Sequence, residues 1–153
     1  LRGIGAIPED TILDKLGLRN KVRAMLIGHA HLDHVGAVPY LAHRYNADVV
    51  GTPFTVEVLK TIMKDENVTM QNHIKAIQPN SSYTIQGKQK YEVEFINITH
   101  STLQTSLIAL HTPEGIVLYA NDFKFDNNPI VGKKPAYDKI KEIAKEGVKA
   151  LVP

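Results

Sequence analysis

The chain has 153 residues, is 43% hydrophobic and carries a formal net charge of +2. It is therefore long enough to bury one core and too weakly basic to imply nucleic-acid binding by charge alone. It contains no cysteine, which excludes disulfides, thiolate zinc sites and cysteine nucleophiles and leaves imidazole and carboxylate as metal ligands.

In chain order, strand-like and helix-like patterns alternate. "AMLIG" (24–28) is a short apolar run that suits a buried strand. "GAVPYLAHRYN" (36–46) reads as a short helix with Pro39 near its first turn, and "ADVVG" (47–51) as a second strand. "TPFTVEVLKTIMKDEN" (52–67) predicts a helix with Thr52 as N-cap and Pro53 at its first position; its Phe54, Val58 and Ile62 face is expected on a sheet. "IKAIQ" (74–78), "SYTIQ" (82–86) and "YEVEFINIT" (91–99) read as strands, with Gly87 separating the last two. "TSLIALHTPEGIVLYAND" (105–122) is two strands joined by a Thr-Pro-Glu-Gly turn, expected to be antiparallel. "AYDKIKEIAKEG" (136–147) is an amphipathic helix with Ile140 and Ile143 inward and Gly147 as its stop. The pattern predicts one α/β domain, or most of one, with helices covering sheets.

The sequence starts at Leu1 without a methionine and stops at "GVKALVP", which reads as a strand just begun. A piece of a larger protein is expected. No apolar run approaches the length of a membrane span and nothing at the start reads as a signal peptide, which points to a cytoplasmic location without membrane contact.

Three of the 7 histidines fall in "HAHLDH" (29–34), together with an aspartate. In extended backbone, residues two apart point the same way, so His29 and His31 can reach one cation. Asp33 and His34 follow at an expected turn and can serve a second. Two divalent ions need about six or seven ligands, so more must come from elsewhere. His100 ends "EFINITH" and Asp122 ends "GIVLYAND"; both follow core strands, and a carboxylate with two oxygens suits a shared position. Each alone is more often a turn residue, and the cluster is what raises them to ligands. His43 is expected to be solvated, and His73 and His111 to be structural or idle. Ser101, Thr102 and Lys124 could each meet a phosphate oxygen, although local backbone bonding and surface charge are their blander roles. Lys133 and Lys134 are read the same way as Lys124.

"HAHLDHVGAVPYL" resembles the metal-binding signature of the metallo-β-lactamase fold. "THST", "ALHTPEGIVLYANDFKFDNNPIVGKKP" and "GVKALVP" resemble the β-CASP nucleases of the ribonuclease J family, the archaeal branch in particular. The resemblance covers most of the chain and is weakest from Lys64 to Lys90. Many bacterial relatives have glycine where this chain has Asn121, and tend to read His-Ser-Ile-Pro-Asp where it reads "HSTLQ". The resemblance implies an αββα sandwich, present as a partial domain: residues 1–153 would be the central portion, without the β-CASP insert and the C-terminal part. It implies His29, His31 and His100 on one zinc, Asp33 and His34 on the other, Asp122 bridging, and a seventh, histidine ligand far downstream.

The function expected from these residues is two-zinc hydrolysis of RNA phosphodiesters. Asp33, His34 and Asp122 are placed at the reacting water, and 5′-to-3′ exonuclease action, with endonuclease action beside it, is implied by the resemblance. The second zinc has fewer ligands in this chain, so the piece alone is expected not to turn over RNA. RNA is the expected partner, and the full-length protein leaves room for a homodimer. Two alternatives stay open: a hydrolase of the same fold acting on a thioester or lactone, and a non-catalytic nucleic-acid-binding subunit. The intact HxHxDH run argues against the second.

Overall fold

The computed structural model describes residues 7–153, so the start at Leu1 lies outside it. Its strands form two sheets. The first is parallel, in the order β1-β2-β3, from β1 (Ala24–Ile27), β2 (Asp48–Gly51) and β3 (Ile74–Ala76). The second has five strands in chain order: β4 (Ser81–Ile85), β5 (Tyr91–Asn97), β6 (Ser106–Thr112), β7 (Gly115–Tyr119) and β8 (Val148–Val152). Its neighbours are antiparallel except β7 and β8, which run parallel after the crossover through helix α5 (Tyr137–Glu146).

Strand alternation then dictates four layers, because successive side chains point to opposite faces. Val50, Tyr83, Val93, Phe95 and Ile108 meet between the two sheets, with Ala24 and Leu26 against them. Their neighbours in sequence point outward: Met25, Ile27 and Val49 pack beneath helices α2 (Leu32–Val35), α3 (Val38–Leu41) and α4 (Pro53–Asp65). On the far side, Ile96, Leu107, Ala109 and Ile116 pack against Ile143 of α5, with Ile140 partly buried beside them. The result is helix, sheet, sheet, helix.

Helix α4 departs from the expected face. Its buried residues are Thr55, Val56 and Leu59, while Val58, Ile62 and Met63 pack only partly buried at the margin. Thr52 is the N-cap by position, but its hydroxyl pairs with that of Thr55 at 3.0 Å and caps no backbone group. The N–H of Phe54 is instead accepted by the side chain of Gln104, 2.8 Å away. A cap supplied from 50 residues along the chain cannot be read from the local pattern. The segment 36–46 is likewise not one helix: α3 is followed by a 3-10 turn over Ala42–Arg44.

His111 is structural. It sits on β6, with Nδ1 2.9 Å from Glu146 Oε1 at the end of α5 and Nε2 3.0 Å from Glu94 Oε1 on β5. Glu94 also takes Lys139 Nζ of α5 at 3.3 Å, so the helix is pinned to the sheet at two points. Burial works against the charged imidazole, yet the bonds to Glu146 and Glu94 outweigh it and raise its pKa above 6.5. A raised folded-state pKa gives stability that is fully present below the unfolded value and lost as pH rises through the folded one. Thermal stability should therefore decline as pH climbs from about 6.5 through the mildly alkaline range, and His111→Gln should flatten that slope. An unchanged slope in the variant would remove His111 as its source.

Candidate metal centre

The chain leaves β1 in extended form, with His31 at φ −70° and ψ 147°, and then makes the single turn of α2. That turn carries Asp33 and His34, where the sequence pattern predicts only a bend into the next element. The backbone between strand and turn aims the imidazoles of His29, His31 and His34 toward the second sheet. From that sheet come His100, three residues beyond β5, and Asp122, three beyond β7.

The loop carrying Asp122 is fastened to the one carrying His100. Thr99 and Lys124 form an isolated antiparallel bridge, in which Lys124 N–H donates to the Thr99 carbonyl at 2.8 Å. The Thr99 hydroxyl donates to the Lys124 carbonyl and accepts from the Asp126 N–H at 3.0 Å. These bonds hold the loops that carry His100 and Asp122 in one register.

Two donor groups result. One ligand atom from each of His29, His31, His100 and Asp122 lies within 4.8 Å of all the others, and the same holds for Asp33, His34 and Asp122. One oxygen is common to the geometry: Asp122 Oδ2 is 3.8 Å from His29 Nε2, 3.8 Å from His34 Nε2 and 3.7 Å from His100 Nε2. His100 Nε2 is 3.2 Å from His31 Nδ1. Donors placed tetrahedrally at about 2 Å from an ion stand about 3.3 Å apart, so these spacings need only small adjustments.

Electrostatics favours a cation here. His29 is fully buried, and neither ring nitrogen has a hydrogen-bond partner among the described residues. A buried imidazole with two idle nitrogens is costly unless something takes its lone pair. Burial, followed by the neighbouring imidazoles of His34, His100 and His31, lowers its pKa to about 4, against the pull of Asp122. Burial and His31 likewise lower that of His100. Both rings are then neutral at pH 7, the form that ligates metal. Three imidazoles and a carboxylate form a borderline-hard donor set that fits a divalent ion such as zinc.

The remaining candidates are placed as follows. Ser101 Oγ lies 3.1 Å from His31 Nε2 while His31 Nδ1 faces His100 Nε2, so the hydroxyl holds the orientation of that ring. The hydroxyl of Thr102 meets that of Thr105 at 3.0 Å. Lys124 Nζ pairs with Asp126 at 3.0 Å and is well exposed. These three residues line a cleft of ≈ 400 Å³ that opens beside His100. His43 and His73 are exposed and away from the cluster. Lys133 and Lys134 contribute backbone carbonyls to Asn97 Nδ2.

Sequence reasoning missed Tyr119. Its hydroxyl is 3.4 Å from His34 Nδ1, so it holds that ring from behind while Nε2 faces Asp122. Burial, with Asp122 and Asp33 nearby, raises its pKa and keeps it a neutral phenol. The partners are 85 residues apart, and Tyr119 otherwise reads as one more apolar strand residue. Tyr119→Phe should weaken divalent-metal affinity by about tenfold, the low end for a residue that orients a ligand. Competition with a chromophoric chelator measures it, and an unchanged affinity would make Tyr119 a packing residue only.

Residues 8–146 match the sequence profile of the metallo-beta-lactamase superfamily. The chain is 43% identical over 149 residues to ribonuclease J of Methanocaldococcus jannaschii, covering 97% of this chain and 32% of that protein. It is 43% identical over 155 residues to ribonuclease J of Pyrococcus abyssi, covering 99% and 33%. The chain thus spans about a third of the length of these relatives. Among solved structures, a Cronobacter sakazakii metallo-beta-lactamase HARLDQ motif mutant superposes with a TM-score of 0.55 at 12% identity, over 92% of this chain and 59% of that one; this likeness concerns the fold.

Proposed function

Because the chain belongs to the metallo-beta-lactamase superfamily, we propose that it is the central metal-binding part of a zinc-dependent ribonuclease of the ribonuclease J type. The observation that carries this reading is the single oxygen, Asp122 Oδ2, facing imidazoles of both donor groups. RNA as the substrate is supported by the 43% identity to two proteins named ribonuclease J; removal of nucleotides from the 5′ end, with internal cleavage as a second activity, is proposed on the resemblance of the chain's motifs to that family.

Bound zinc ions would supply Lewis acidity, making water acidic near neutral pH and offsetting charge on the phosphate. The chain's residues supply the rest. His29, His31 and His100 would hold one ion with neutral imidazoles. Asp33 and His34 would hold the other, with Asp122 common to both. Asp33, whose side chain is mostly exposed, can accept the proton of an attacking water and orient it toward phosphorus. Ser101 and Tyr119 keep the rings of His31 and His34 turned to the ions. Thr102 and Lys124 line the cleft beside His100, where a phosphate oxygen would be held; Lys124 would exchange its pairing with Asp126 for the phosphate. The remaining ligand and the acid for the leaving oxygen belong, in this reading, to the part of the full-length protein outside the matched third.

The test uses the full-length protein with RNA labelled at either end. Release of labelled mononucleotide from the 5′ end, abolished by chelator and restored by zinc, is the expected result. Hydrolysis of a thioester or lactone with no action on RNA would replace the reading by that of a small-substrate hydrolase of the same fold.

A further inference from the structure

Asn121 stands between the last residue of the β7 run and Asp122, and nothing in the chemistry assigned above uses it. It is 8% exposed and has a positive φ of 45°. Glycine adopts such a backbone freely, and asparagine is among the few residues that tolerate it. The side chain must therefore be explained by what its amide does. Its Nδ2 donates to the carbonyl of Ser106, the first residue of β6, at 2.8 Å. The N–H of that same Ser106 donates to the carbonyl of Gly28 at 2.9 Å. Gly28 closes the β1 run and precedes His29.

Three strand ends are thereby joined: the end of β1 with His29, the start of β6, and the end of β7 with Asp122. The first belongs to one sheet and the other two to the second, so this is a bond across the sandwich at the metal centre. The fit leaves no slack. A Cβ on Gly28 would lie 2.7 Å from Asn121 Nδ2, 3.0 Å from its Cγ and 3.1 Å from the Ser106 carbonyl. Gly28 is thus required by the amide that lies over it. Asn121 Oδ1 is buried with no hydrogen-bond partner among the described residues. An idle buried acceptor costs stability, so a position that keeps one is not explained by stability.

We propose that Asn121 is a positioning residue that sets the separation of His29 and Asp122 by fastening β7 to β6 and, through Ser106, to β1. The inference rests on the reading of the site as a divalent-metal centre. Asn121→Gly keeps the backbone conformation and removes only the amide. Asn121→Asp keeps the shape but turns a carboxylate oxygen toward the Ser106 carbonyl, replacing attraction by repulsion. Gly28→Ala pushes the amide away from the other side.

The experiment is zinc competition against a chromophoric chelator, with the visible spectrum of the cobalt-loaded protein as a second readout, in the full-length protein. Asn121→Gly should fold as before, bind zinc about 10- to 100-fold more weakly, and show an altered cobalt spectrum. Asn121→Asp should lose at least as much. Gly28→Ala should also weaken zinc binding, but the Gly28→Ala, Asn121→Gly pair should lose less than the sum of the two single losses, because the amide contacts at 2.7 and 3.0 Å are gone and only the 3.1 Å approach to the Ser106 carbonyl remains. Zinc affinity and a cobalt spectrum unchanged in Asn121→Gly would overturn the proposal, as would additive losses in the pair. A wild-type protein that binds no zinc would overturn the metal reading itself and the clamp with it.

Discussion

Asp122→Asn in the full-length protein should lower RNA turnover by at least about a thousandfold while leaving RNA affinity within about twofold. The substitution changes one oxygen to a nitrogen and little else in shape. Its weight comes from position: Asp122 Oδ2 faces His29 and His34 at 3.8 Å and His100 at 3.7 Å, so it is the only carboxylate oxygen shared by the two donor groups among the described residues. An amide there carries no charge, and its nitrogen has no lone pair to offer a cation. Both donor groups would lose their common anion at once, and the spacing between the ions would no longer be set. On the proposed reading, RNA affinity would rest mainly on backbone phosphates met by basic and hydroxyl groups over a long surface, which this change leaves alone. Parallel measurement of single-turnover rate and filter-binding affinity separates the two quantities. Equal losses in both would mean that Asp122 acts through the fold.

Phe95→Ala should destabilise this domain by about 3–5 kcal/mol. Phe95 is fully buried at the centre of the cluster between the two sheets, against Val50, Val93 and Ile108. Truncation removes the transfer energy of the ring and leaves a cavity between two sheets that cannot close on it without shifting their registers. Phe95 is paired with Ser81 on β4 and Ile108 on β6, so relaxation would have to be shared by three strands. The effect should reach the site, because β5 leads directly to Thr99 and His100. The urea midpoint of the domain's unfolding should therefore fall in the chelated protein, and added zinc should restore part of the loss by binding only the folded form. A loss below about 1.5 kcal/mol would show that the sheets repack around the gap.

The sequence by itself carried the local information. Period-two runs such as "YEVEFINIT" and the Thr-Pro-Glu-Gly turn placed the strands of the second sheet to within a few residues, because alternation and turn residues act over neighbours. The histidine cluster drew attention to a candidate metal site for the same reason: His29, His31, Asp33 and His34 are adjacent, and candidate ligands that close in sequence need no fold to be suspected. The segment 8–23 stayed unassigned. Its short helix α1 (Thr11–Lys15) has no buried residue and hence no apolar period to read; it is held by distant charge, Arg44 pairing with Asp10 and Asp14. The buried face of α4 is Thr55, Val56 and Leu59 rather than the expected one, and its first turn is capped by Gln104 rather than by its own N-cap. Only tertiary structure decided that Tyr119 stands behind His34, that Ser101 stands behind His31, and that the Asn121 amide lies over Gly28. Each of these contacts joins residues 70 to 93 positions apart, where no pattern along the chain correlates them. They arise because two sheets stack face to face and bring their strand ends to one edge, so the candidate ligands were legible one by one while the groups packed behind them depend on how the layers meet.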